Sequence, residues 1–260
     1  MKKFMTLAAM FAAVMVSFTA CDENTTDPTP TPGEEVCADC GKNPCECEQG
    51  YVSPIKIDGD FADWDALDAS KVASATCHAD ALNTALKSVK VYADAVYINF
   101  LIEVDTTHET LVEGGIDLPI DIYLNADNSE NSVASDWSNQ ASQDAIIEGC
   151  YVTADDGVVS FDPGCYPYTG TEEAVEWAWD VANPLIAEGT GFGQGAGTVG
   201  KYEFSLLTEL LIDAVDLQDT FGMGITVSPG WEISGLLPNG PVTEDNTKGA
   251  VPFMLVTINR

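Results

Sequence analysis

Trp177 and Trp179 stand at i and i+2 in Val175-Glu176-Trp177-Ala178-Trp179-Asp180. On a strand, both rings face one side of the sheet. Flat aromatic faces stack on the C–H surface of a sugar, and carboxylates such as Glu176 and Asp180 accept hydrogen bonds from its hydroxyls. Tyr166, Tyr168, Trp137 and Trp231 are the rings that could complete such a platform. Large aromatics also dominate cores, so a core role stands beside the ligand role for each ring. Trp64 is assigned to the core.

Oxygen chemistry concentrates in Asn125-Ala126-Asp127-Asn128-Ser129-Glu130-Asn131, with Asp136 beyond. Calcium takes six to eight oxygen ligands. Counted as an EF-hand loop from Asn125, this stretch puts Glu130 where glycine is required, so that motif fails. Two readings remain: a structural calcium held by Asn125, Asp127 and Asn128, or an ordinary Asx-rich turn. Asp58, Asp60, Asp63, Asp65 and Asp68 read as a solvated acidic face.

Catalysis finds little material. His78 and His108 are the only histidines, too few for a His-rich metal site and a poor basis for a Ser-His-Asp unit. Gly191-Phe192-Gly193 follows no strand-to-helix unit, so a dinucleotide cradle is a weak reading. The chain carries no complete catalytic signature, and we expect no enzyme and no organic cofactor. Acidic side chains number 42 against 10 basic ones, a net charge of −32. Such a surface repels phosphate, which argues against nucleic acid and anionic lipid as partners. Neutral ligands and cations remain.

The elements that must position these residues repeat with period two. Val96, Ile98, Phe100, Ile102 and Val104 alternate with Tyr97, Asn99, Leu101 and Glu103; Ile120, Ile122 and Leu124 alternate with Asp121, Tyr123 and Asn125. Tyr202-Phe204-Leu206, Met223-Ile225-Val227 and Met254-Val256-Ile258 repeat the pattern. Alternation with β-branched and aromatic residues marks half-buried strands. Only Leu206 to Val215 looks helical. The expected fold is all-β, an antiparallel two-sheet β-sandwich over residues 51–260 with one short helix.

Ahead of it, Lys2 and Lys3 precede an uncharged, largely apolar run from Phe4 to Ala20, the pattern of a secretory signal. Residues 21–36 form a tether whose Thr25, Thr26, Thr29 and Thr31 interleave with Pro28, Pro30 and Pro32 and favour an extended backbone. Residues 37–50 hold Cys37, Cys40, Cys45 and Cys47. Structural zinc usually separates two cysteine pairs by about a dozen residues or more, and Asp39, Glu46 and Glu48 disfavour thiolates. An exported chain favours disulfides there, with metal and redox roles as alternatives. Cys150 and Cys165 flank the Asp155-Asp156-Gly157 turn and are a candidate cross-hairpin disulfide.

Two resemblances extend this reading. Phe18-Thr19-Ala20-Cys21 resembles the lipobox of bacterial lipoproteins, with Phe18 where leucine is usual. It implies removal of residues 1–20, lipidation of Cys21 and attachment to a membrane by lipid alone; the alternative is an ordinary signal peptide cut near Ala20. Asp22 and Glu23 resemble the surface-export signal of glycan-foraging Gram-negative bacteria, implying an outer-membrane, cell-surface position. Ile57-Asp58-Gly59-Asp60-Phe61-Ala62-Asp63-Trp64 resembles the opening motif of carbohydrate-binding module family 9-like β-sandwiches. Ser88–Val104, Asp121–Asn128, Lys201–Leu211 and Phe221–Pro229 are similar to that family's later segments in order. The resemblance implies a jelly roll, often with structural calcium, and sugar binding in some members. The functional expectation is a surface-tethered, non-catalytic binding protein for a neutral glycan. The alternative is a structural or adhesive surface lipoprotein with a protein partner and no sugar site.

Overall fold

The computed structural model describes residues 51–109, 111, 117–129, 143–154, 157–171, 178–198, 200–247, 249 and 251–260. The leader, the tether, Cys21, Cys37, Cys40, Cys45, Cys47, Trp137 and Trp177 lie outside the described residues.

The chain is mostly β. The strands are β1 (Ala73–Thr76), β2 (Leu86–Asp94), β3 (Tyr97–Val104), β4 (Asp117–Asn125), β5 (Ala145–Ala154), β6 (Gly157–Ser160), β7 (Gly164–Pro167), β8 (Gly193–Thr198), β9 (Lys201–Leu207), β10 (Thr220–Val227), β11 (Gly235–Leu237) and β12 (Met254–Asn259). They form one curled, hydrogen-bonded sheet in the order β6-β5-β4-β10-β12-β2-β3-β9-β8, with β1 on β2, β7 on β5 and β11 on β10. All pairs are antiparallel except one. β12 pairs antiparallel with β10 through Met254–Thr257, then parallel with β2 through Ile258 and Asn259. That shared strand makes the path continuous.

The alternation places the core as expected. Ile98, Phe100 and Ile102 of β3, Phe204 and Leu206 of β9, and Ile120, Ile122 and Leu124 of β4 point inward and are buried. Phe100 and Phe204 are register partners and stack at 4.4 Å. Tyr151 reaches across from β5, ring to ring with Phe204 at 5.6 Å, and donates its hydroxyl to the carbonyl of Glu203 at 2.9 Å. Full burial of one such side chain contributes about 1.5–3 kcal/mol, so these rings tie the two halves of the curl together.

Among the described residues two helices are delimited where one was expected. Leu206 belongs to β9 opposite Ile98, so the later helix, α2, begins at Thr208 and runs to Val215. Thr208 seats it by donating its hydroxyl to the carbonyl of Asp94 at 3.0 Å. The earlier helix, α1, is one turn over Ala62–Ala66. Among the described residues no helix is long and apolar enough to cross a membrane.

The candidate bridge between Cys150 and Cys165 does not form. Cys165 lies opposite Ile147 on β5, three residues from Cys150. Period two puts Cys150 on the opposite face of the sheet, and no described cysteines lie at disulfide distance. Cys165 is core, and burial pushes its thiol up to about 12.

Candidate functional site

The outer side of the curled sheet carries two patches on its two halves, and half-buried strands would leave such a side to solvent. On β9 the outward residue Glu203 is fully buried instead. Its Oε1 accepts the backbone N–H of Asp58 at 2.9 Å and of Gly59 at 2.7 Å, and its Oε2 accepts the indole N–H of Trp64 at 3.0 Å. Gly59 turns the chain at a φ of 84°, a backbone conformation that side chains disfavour. Trp64 then packs with Ile55 and Leu101, and Ile57, Phe61, Leu67 and Tyr92 pack around them. Trp64 is therefore buried as expected, in a satellite cluster outside the main core. The neighbouring aspartates cap turns: Asp58 accepts from the N–H of Asp60, Asp60 from that of Ala62, and Asp63 from that of Lys56.

The other outer face covers β4, β5, β7, β10 and β11. Tyr123, Ile146 and Leu236 are its buried floor, and Tyr166, Trp179, Ile233 and Phe253 pack on it. Tyr123 stands opposite Ile146, and Ile146 opposite Tyr166. Trp179 arrives from the following loop. It bridges to Tyr168, with Thr169 N–H donating to the carbonyl of Ala178 at 2.7 Å and Asp180 N–H to that of Pro167 at 3.0 Å. Its ring meets Tyr168 at 4.8 Å and Tyr123 edge-on at 5.9 Å. The structure thus brings Tyr166, Tyr168 and Trp179 to one face, with the rings half-buried. The indole N–H of Trp179 is buried and has no hydrogen-bond partner. The side chain of Trp231 lies outside the described residues.

Carboxylates line the same face. Asp121 faces Glu148 across the β4–β5 pair and accepts the hydroxyls of Thr226 at 3.0 Å and Ser228 at 3.4 Å. Burial, reinforced by the charge of Glu188, holds the Glu148 carboxyl above its ordinary value. Tyr166 donates its hydroxyl to Glu188 at 3.3 Å. Burial raises the Tyr166 hydroxyl, and Glu188 and Glu148 add to the shift. Asp180, expected to receive a ligand hydroxyl, is instead occupied by the Asn183 side chain at 2.9 and 3.1 Å. Sequence reasoning missed Tyr123, Glu148 and Glu188. Tyr123 was visible only as the outward phase of a strand whose inward phase was read as the core; Glu148 and Glu188 lie in segments that carried no such reading.

Asn125, Asp127 and Asn128 share the turn that ends β4. Asn125 donates through Nδ2 to the carbonyl of Ser129 at 2.9 Å, Asp127 accepts the N–H of Ser129 at 2.8 Å, and Asn128 adopts a left-handed φ of 52°. Asp144, distant in sequence, joins them by accepting the N–H of Ala126 at 2.7 Å. Burial raises the Asp144 carboxyl, and the charge of Asp127 adds to that against the pull of backbone N–H groups. Among the described residues no group of three or more His, Cys, Asp or Glu side chains is placed to hold a metal ion; any cation here relies on amide and carbonyl oxygens as well.

No family model matches the chain, and no curated protein matches it as a relative.

Proposed function

We propose that this is a non-catalytic binding protein whose outer face around Tyr166, Tyr168 and Trp179 takes a neutral glycan. The observation that carries this reading is the half-buried Trp179, with an unmatched indole N–H, packed beside two tyrosines on the face that carries Glu148 and Glu188. A hydroxyl-rich ligand supplies what that arrangement lacks: an acceptor for the indole, a donor for Glu148, and C–H surface for the rings. The fold that supports it is read as a jelly-roll-like sandwich, the two halves of the curled sheet being its layers. In this reading Cys21 carries the lipid, and the chain is displayed at the outer-membrane surface. The cysteines at 37, 40, 45 and 47 form disulfides in the spacer. A structural calcium sits at Asn125, Asp127 and Asn128.

A glycan array probed with the protein and with Trp179→Ala tests the ligand. Binding that the substitution removes, with the fold retained by circular dichroism, supports the reading. An array without hits, together with a Trp179→Ala variant as destabilised as a core truncation, favours the structural or adhesive alternative. Cys21→Ala tests the anchor: release of soluble protein or accumulation of precursor is expected, and unchanged membrane association would remove lipidation from the reading.

A further inference from the structure

We propose that the ligand of the aromatic face is a sugar bearing an acetamido group, its carbonyl accepting the indole N–H of Trp179 and its own N–H donating to the Glu148 carboxylate. The proposal deepens the glycan reading of that face by naming the sugar class, and it rests on that reading.

Strand register sets the face out in two rows. Tyr123, Ile146 and Tyr166 are successive partners across β4, β5 and β7, and so are Asp121, Glu148 and Gly164. The rows share the outer side of the sheet, two residues or about 7 Å apart along the strands. Trp179 packs on the first row, edge-on to Tyr123 at 5.9 Å, and its buried indole N–H has no partner. The second row holds the acceptor. Asp121 is committed to the hydroxyls of Thr226 and Ser228. Gly164 leaves room that a side chain would fill: a Cβ there would lie 2.5 Å from the Tyr166 hydroxyl and 3.2 Å from Cγ of Glu188. That hydroxyl donates to Glu188 at 3.3 Å. Glu148, between Asp121 and Gly164, is half-buried and meets no hydrogen-bond donor among the described residues.

An unmatched donor against one row and an unmatched acceptor in the next suit a group that carries its acceptor and its donor on different atoms. An amide does so, and a single hydroxyl does not. The acetamido methyl adds apolar surface for the half-buried rings of Tyr166 and Tyr168. Charge narrows the class further. The sequence holds no Lys, Arg or His between His108 and Lys201, nor between Lys201 and Lys248. The strands β4, β5, β7, β10 and β11 therefore bring no cation to this face. A uronate or a sulfated sugar would set its charge beside Glu148 and Glu188 without compensation. An ammonium sugar suits the carboxylates but offers the indole no acceptor at that position.

Three β-1,4-linked trimers that differ only at carbon 2, carrying a hydroxyl, an acetamido group or a free amine, test the choice. Calorimetry is run on the full chain at neutral pH and in about 0.5 M salt, which screens the net charge of −32 to within a few ångströms. The acetamido trimer should bind about tenfold tighter than either of the others, the effect of two net hydrogen bonds. Trp179→Phe keeps a ring and loses the N–H. It should cut the acetamido advantage about threefold and leave the affinity of the hydroxyl trimer unchanged. Glu148→Ala should do the same from the other row. Equal affinity for the acetamido and hydroxyl trimers overturns the acetamido assignment and leaves the glycan reading standing. Tighter binding of the amine trimer overturns it together with the neutrality of the ligand. An acetamido advantage that survives both substitutions overturns the two contacts. Binding of no trimer, with hits elsewhere on a glycan array, overturns the assignment alone; with an empty array, the glycan reading falls with it.

Discussion

Two tryptophans lie on the two outer faces of one sheet and end differently. Trp64 is 3% exposed, and its indole N–H meets the buried carboxylate of Glu203. Trp179 is half-buried, its indole N–H has no partner, and the Glu148 carboxylate on its face faces no hydrogen-bond donor among the described residues. The first face is completed by the chain's own segment from Ile55 to Leu67. The second keeps a donor, a carboxylate and a set of rings unmatched. A buried polar group without its partner costs about 1–3 kcal/mol; the first face keeps such groups at Asp63 Oδ1 and Ser205 Oγ, but its tryptophan is fully met, whereas the second face leaves its tryptophan N–H open to something else.

The largest effect expected from this contrast belongs to Glu203→Ala. It strips the acceptor from three N–H groups at once, and urea denaturation should show a loss of about 3–5 kcal/mol, as when one partner of a buried charged network is removed. Trp64→Ala should cost about the same, as for emptying a core position. The two losses should combine to less than their sum, because both break one cluster. Trp179→Ala should cost less than about 2 kcal/mol, its ring being half-buried. Equal losses at Trp64 and Trp179 would erase the difference between the faces. A sharper pair is Trp64→Phe and Trp179→Phe. The first leaves a Glu203 oxygen unmet and should cost about 1–3 kcal/mol. The second removes an orphan donor and should be neutral or slightly stabilising, by up to about 1 kcal/mol, in the absence of ligand.

How much of this was legible in the sequence follows from what period two carries. Alternation at Ile98-Phe100-Ile102 and Ile120-Ile122-Leu124 located the strands and the buried phase, because apolar burial is read residue by residue. The same alternation put Leu101 and Tyr123 in the outward phase, and the structure buries both, together with Glu203 opposite Leu101. Whether an outward face is covered depends on where another segment lands, and no local pattern encodes that. The Ile57–Trp64 motif was visible as a motif, yet its partner Glu203 is far along the chain. Asp144 joins the 125–129 turn for the same reason, through a hydrogen bond across 18 residues. The cross-hairpin disulfide failed on phase: Cys150 and Cys165 flank the right turn but face opposite sides of the sheet.

The smallest expected effect is a pH dependence, and it separates the faces by sign. Glu148 and Glu203, one from each face, are both held above the ordinary glutamate value, burial being the first cause in each. For Glu203 the N–H groups of Gly59, Trp64 and Asp58 pull partly back; for Glu148 the charge of Glu188 pushes further up. An acid whose folded pKa exceeds its unfolded one binds protons more tightly when folded. Its contribution is therefore fully present below the unfolded value and is lost as pH rises through the folded one. Self-repulsion at a net charge of −32 acts in the same direction. Tm should accordingly rise as pH falls from neutral toward about 5. Further acidification reverses the trend as groups such as Asp105 protonate; the Thr107 hydroxyl and then Lys87 hold that carboxyl well below the usual range. Glu148→Gln removes an unmatched charge, so at neutral pH it should raise Tm and flatten the rise. Glu203→Gln also removes the raised carboxyl but turns an amide N–H toward the Trp64 indole, so it should flatten the rise while lowering Tm. Thermal melts of the two variants across this range check both signs. A matching drop in Tm for both would mean that Glu148 is as well partnered as Glu203, and the two outer faces would then be alike.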